Sequence, residues 1–136
     1  MSSYKNVNLI NFGANLNDDV LEDIRKEVQA DTINLRVAKV NLDLNKNPYI
    51  QCHDIVERQK DLLLSGDPFI INLPGLPIAC VFIVNEITAI AGREPTVLFT
   101  SRNISRDGYF SEFKFRRLFN LSYEKTVTRE KFKNGK

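Results

Sequence analysis

Three short stretches of this chain carry side chains suited to holding a small anionic molecule. Asn11-Phe12-Gly13-Ala14-Asn15 and Asn72-Leu73-Pro74-Gly75-Leu76 combine asparagine amides with glycines. Ser101-Arg102-Asn103, with Arg106 a little further on, adds hydroxyl, amide and guanidinium groups. Glycine lets the backbone approach a ligand closely, and free N–H groups where a helix begins favour an anion such as phosphate. Arginine grips phosphate through two parallel hydrogen bonds. An asparagine amide also matches the N6 and N7 edge of adenine. Taken singly, Asn and Gly are ordinary turn residues, so what matters is whether the fold gathers them.

Rival chemistries lack their parts. The dinucleotide fingerprint G-x-G-x-x-G and the P-loop G-x-x-x-x-G-K-[ST] are both absent, which disfavours NAD-dependent oxidation and ordinary ATP hydrolysis. His53 is the sole histidine, with Glu57 four residues on. It is expected well inside a helix, partly solvated and away from the loops, where it does not serve as a general base. No Ser-His-Asp set can be built near the loops without it. Cys52 and Cys80 lack metal-ligand spacing and are expected as reduced thiols in or near the core. Neither a metal nor a cofactor is expected, and no residue is assigned a catalytic role. Asp18, Asp19, Glu22 and Asp23 cluster in a helical first turn, where they complement the helix dipole.

Alternating apolar runs and amphipathic stretches must position those loops. VNLINF (7–12) reads as a buried strand turning at Gly13. NDDVLEDIRKEV, from Asn17, reads as a helix with an Asn cap and with Val20, Leu21, Ile24 and Val28 at helical spacing. INLRVAKVNLDL (33–44) alternates with period two and slips phase at Ala38, which predicts a strand with one bulge or an early end. Asn47 caps and Pro48 opens a second helix running to Gly66, with Cys52, Ile55, Val56, Gln59, Leu62 and Leu63 on one face. PFIINLP (68–74) is the continuous apolar run of a strand covered on both faces. The stretch from Pro77 to Gly92 reads as a mostly buried helix, with a hairpin as the alternative. PTVLFTS (95–101) and EFKFRRLFNL (112–121) read as strands, and a short helix from Ser122 closes the chain. That order predicts a single Rossmann-like α/β domain over residues 1–136, a mostly parallel sheet with helices on both faces and an antiparallel edge strand. In such sheets ligands bind outside the carboxyl ends of the strands, and the three stretches fall there.

Composition agrees with one globular domain. The chain has 136 residues, 43% hydrophobic and 26% charged, which excludes a disordered tail, a collagen-like repeat and a disulfide scaffold. Its longest apolar stretch, 76–91, is interrupted by Asn85 and Glu86 and falls short of the ~20 residues that span a bilayer. The opening MSSYKNVNL has no apolar signal region, so no membrane association and a cytoplasmic location are expected. Net charge is uneven: residues 1–101 hold 9 Lys+Arg against 13 Asp+Glu, whereas residues 102–136 hold 10 against 4. A basic partner surface would therefore lie in the last quarter. Lys131, Lys133 and Lys136 read as a solvated helix end and tail, while Arg102, Arg106, Arg116 and Arg117 lie nearer the strands.

LINFGANL leading into NDDVLEDI, and PFIINLPGLPIACVFIVNEI followed by PTVLF, resemble the Csx-fifteen family, small single-domain Rossmann-like accessory proteins of type III CRISPR systems. The family pattern is a first strand ending in an Asn-Phe turn, a third strand ending in a proline-containing loop, and a long apolar helix after that loop. Asn11 and Phe12, Asn72 and Pro74, and the helix from Pro77 match it over residues 7 to 121. The third loop departs from it by the inserted glycine of NLPGLP, at Gly75. The resemblance implies binding of cyclic tetra-adenylate by a homodimer, with further assembly around the ligand left open. Related accessory proteins are ring nucleases, which cut this messenger through the ribose 2′-hydroxyl. The loops here contain no His, Lys, Asp or Glu to take the 2′ proton, leaving Arg102 and Arg106 as charge stabilisers only. Sequestration of the messenger is thus the first reading and ring cleavage the alternative. A nucleic-acid or protein interaction module built on the basic C-terminal quarter is the third.

Overall fold

The computed structural model describes residues 5–104 and 111–134. The run NVNLIN forms β1 (Asn6–Asn11), whose inward residues are buried. Asn17 then caps α1 (Asp18–Val28), its side chain accepting from the Val20 N–H at 2.9 Å, and Val20 and Ile24 are buried. This satisfies an N–H that the first helical turn leaves unpaired. β2 (Thr32–Val37) stops where the apolar phase slips, so the early end is the outcome and no bulge forms. The Ala38 N–H turns instead to the Asn11 carbonyl, at 2.8 Å.

The second helix is broken, contrary to the single helix expected up to Gly66. Asn47 caps α2 (Pro48–Glu57), and a separate short turn, α3 (Lys60–Leu63), follows. The Gln59 N–H reaches back only three residues, to the Val56 carbonyl at 2.8 Å, and its buried side chain accepts from Arg36 at 3.2 Å. Arg36 also pairs with Asp61 at 2.9 Å. The tightened turn lets Val56, Leu62 and Leu63 all reach one core. Gly66, at φ 82°, reverses the chain into β3 (Phe69–Asn72), every residue of which is buried.

α4 (Pro77–Ala91) is a helix, and the hairpin alternative does not occur. Burial of Ala79, Ile83 and Ile87 outweighs the weak helix propensity of its β-branched residues. β4 (Thr96–Ile104) and β5 (Ser111–Asn120) pair antiparallel, from Thr96 opposite Asn120 to Ile104 opposite Ser111, with a register shift between Phe99 and Thr100. The closing helix α5 (Leu121–Asn134) is longer than the short one expected, at 14 residues. It is clipped to the start of β4 by Glu94, which accepts from Ser122 at 2.8 Å and pairs with Lys125.

One five-stranded sheet results, in the order β2-β1-β3-β4-β5, parallel except for the last pair. This is the expected Rossmann-like α/β architecture. β3 meets β4 through Ile70 with Thr96 and Ile71 with Val97. Beneath α2, α3 and α4 lies a core of Ile10, Phe12, Cys52, Val56, Ile71, Ile83 and Ile87. On the opposite face, α1 covers Leu9, Val20, Ile24, Ile70 and Leu98. Cys52 is buried and Cys80 half-buried, both as free thiols, and burial pushes both thiol pKa values up. Among the described residues no helix is long and apolar enough to cross a membrane.

Candidate functional site

In this strand order the connection leaving β1 passes to one face of the sheet and that leaving β3 to the other. The loops part there and open a crevice at the carboxyl ends of β1 and β3, the position at which such sheets bind ligands. Asn11 and Asn72 are the last register pair of those two strands. The Asn72 amide donates to Asn11 Oδ1 at 2.9 Å, the Gly13 N–H donates to the same oxygen at 2.9 Å, and Asn11 Nδ2 donates to the Ala14 carbonyl at 2.9 Å. The Phe12 N–H closes the arrangement on the Asn72 carbonyl at 2.9 Å. Two asparagines thus lock the first loop to the third.

Gly13 is required by space. A methyl group there would stand 2.3 Å from the Leu73 carbonyl oxygen and 3.1 Å from Asn72 Nδ2. Gly75 faces open space by the same measure. A cavity of about 150 Å³ opens above, lined by Ala14, Leu16, Asn72, Leu73, Gly75, Thr100 and Phe113. No side chain caps the start of α4 at Leu76, and the Pro74 carbonyl accepts from the Cys80 thiol at 3.1 Å.

The first two stretches are therefore gathered, with different parts for their members, and of the last only Arg102 is brought beside the cavity. Asn11 and Phe12 are each 1% exposed and shape the loop from beneath. Gly13, Ala14 and Gly75 present its surface above buried Asn72, while Asn15 and Leu76 are exposed at its margins. Arg102 is exposed, and its guanidinium carbon lies 5.3 Å from the centre of the Phe113 ring that lines the cavity. Ser101 turns to the other side of the β4–β5 ribbon, where its hydroxyl accepts from Arg116. Strand alternation is the reason: Thr100 and Arg102 share one face and Ser101 takes the other. Asn103 continues β4, and Arg106 lies outside the described residues. Thr100, Phe113 and Leu16 escaped the sequence reading because cross-strand register and the path before α1 bring them in.

A second polar grouping joins α2 to α4. Glu86 is 6% exposed, yet its carboxylate accepts from the Tyr49 hydroxyl and lies 2.9 Å from His53 Nδ1. Tyr49 also stacks edge-on against Phe82, with ring centres 5.2 Å apart. The hydrogen bonds from Tyr49 and then His53 lower the Glu86 pKa, and the Glu86 carboxylate raises that of His53 against the opposing cost of burial. Its one sequence cue was a lone acid on the buried side of an apolar helix. Asp54, with His53 and Glu57, has ligand atoms within 4.8 Å of one another. His53 Nε2 and Glu57 already pair at 3.4 Å across one helical turn, which accounts for that grouping. No family model matches this chain, and neither a curated protein nor a solved structure matches it.

Proposed function

We propose that the protein binds cyclic tetra-adenylate at the β1/β3 crevice and lowers its free concentration, acting as an accessory protein of type III CRISPR defence. The observation that carries this reading is the Asn11–Asn72 pair at the strand-order reversal, beneath a cavity bordered by Arg102 through Phe113. With the Asn11 and Asn72 amides engaged in locking the loops, backbone groups, the Phe113 ring and the Arg102 guanidinium are what suit an adenine base and its phosphate. The resemblance of the loop sequences names the messenger.

The cavity's volume of about 150 Å³ is below the ~300–1,000 Å³ of pockets that enclose a whole ligand. It fits one base of the ring. A two-fold homodimer would offer a second such cavity to the same symmetric ligand. Sequestration is preferred to cleavage because the described residues lining the cavity include no His, Lys, Asp or Glu to accept the 2′ proton.

Purified protein mixed with radiolabelled cyclic tetra-adenylate, followed by native gel and product analysis, tests this reading. The expected result is a tight shift with intact ligand, at one ring per two chains by light scattering. Arg102→Ala should weaken binding about tenfold or more while leaving the melting temperature unchanged, as loss of a charge-assisted phosphate contact implies. Linear di-adenylate accumulating beyond one equivalent would make the protein a ring nuclease. No shift at micromolar protein would exclude both.

A further inference from the structure

The β4–β5 ribbon has two faces. One carries Leu98, Phe115 and Leu118 into the core beneath α1 and holds Thr100 and Phe113 beside the crevice. The other begins at Val97, packed against the core beneath α4, and continues through Phe119, half-buried, to Phe99 and Arg117, which are exposed. Phe99 is 49% exposed, its ring centre is 6.2 Å from that of Phe119, and the Arg117 guanidinium lies 4.7 Å from the Phe119 ring centre. Arg116, at the register shift, reaches Ser101, and exposed Lys114 stands opposite Ser101 in register. No ion pair among the described residues uses Lys114, Arg116 or Arg117.

Charge on an edge strand keeps it from pairing with a neighbouring chain. That role needs no exposed Phe99, backed by half-buried Phe119, between the cations. Rings interleaved with cations are what a single strand of nucleic acid requires, its bases stacking on the rings and its phosphates meeting the cations. The 10 Lys+Arg against 4 Asp+Glu of residues 102–136 attract such a polyanion. A second copy of the chain fits poorly, because a two-fold axis through this face would set Arg116 and Arg117 against their own counterparts.

We propose that the outer face of the β4–β5 ribbon binds single-stranded nucleic acid, stacking a base on exposed Phe99 beside the Phe119–Arg117 pair and holding phosphates with Lys114, Arg116 and Arg117. This face lies across the ribbon from the crevice, so it works independently of messenger binding. The test is fluorescence anisotropy of the intact protein with labelled oligouridylate and oligothymidylate of about 15 nucleotides, over a range of salt. Binding should weaken linearly in log–log with salt. Arg116→Glu with Arg117→Glu should cost tenfold or more and flatten the slope by about 0.7 per cation removed. Phe99→Ala should cost about fivefold or more without changing the slope. Lys133→Glu, on α5, serves as the charge control and should change little. RNA preferred over DNA would assign the 2′-hydroxyl a part, and equal binding would assign the backbone and stacking alone; either supports the surface. No binding at micromolar protein overturns the proposal. So does an equal loss in Lys133→Glu, displacement of the oligonucleotide by cyclic tetra-adenylate, or a change in oligomeric state as the only effect of the Phe99 and arginine variants.

Discussion

At the residue scale, two glycines of the same crevice have opposite tolerances. Gly13→Ala drives a methyl into the Leu73 carbonyl at 2.3 Å, backbone that has no free end to move aside. It should destabilise the protein by about 1–3 kcal/mol in chemical denaturation, the usual cost of overpacking. Gly75→Ala meets nothing within 4 Å and should stay within ~0.5 kcal/mol of the parent. Equal losses at both positions would contradict the close approach of the two loops. His53, being the sole histidine, reports on Glu86 by itself. The Glu86 hydrogen bond raises the His53 pKa, so its contribution to stability is full below the unfolded value of 6.5 and fades as pH rises through the raised folded value. In Glu86→Gln, the His53 imidazole resonance should titrate closer to 6.5 in a proton NMR series, and an unchanged midpoint would remove Glu86 as the cause.

At the element scale, the clip between Glu94 and α5 predicts an acid-sensitive helix. The hydrogen bond from Lys125, supported by Ser122, holds the Glu94 carboxyl at about 2, from 4.5 for a free glutamate. Because the folded value is the lower one, the clip contributes fully above pH 4.5 and is lost as pH falls toward 2. The protection factors of the α5 amides, relative to intrinsic exchange at each pH, should fall over that window, and Glu94→Gln should abolish that fall. Most elements were legible from pattern alone: Asn17 and Asn47 as caps, the phase slip ending β2, Pro77 and Gly92 bounding α4. The break at Arg58 and Gln59 was not, because the partner that holds the Gln59 side chain there is Arg36 of β2, distant in sequence. The crevice was legible as a place, since strand ends follow from the apolar runs. Its lining was only half legible, because Phe113 arrives through antiparallel register with Arg102 and Ser101 leaves by alternation.

At the scale of the whole molecule, the sheet is held unevenly. β3 and β4 share the brief ladder from Ile70 with Thr96 to Ile71 with Val97, whereas β4 and β5 are paired along their whole length. The cavity straddles the shorter ladder, with Ala14, Leu16, Asn72, Leu73 and Gly75 on one side and Thr100 and Phe113 on the other. Regions of a protein open as cooperative units, and a short ladder is where such units separate. Native-state hydrogen exchange should therefore show the ribbon of β4 and β5 opening together, at lower free energy than β1 and β3. Equal protection across all four strands would refute this. A ligand seated in the cavity spans that seam as a staple does, so occupancy should slow the ribbon's opening more than it slows exchange in β1. By the same linkage, a looser seam must release its ligand more readily.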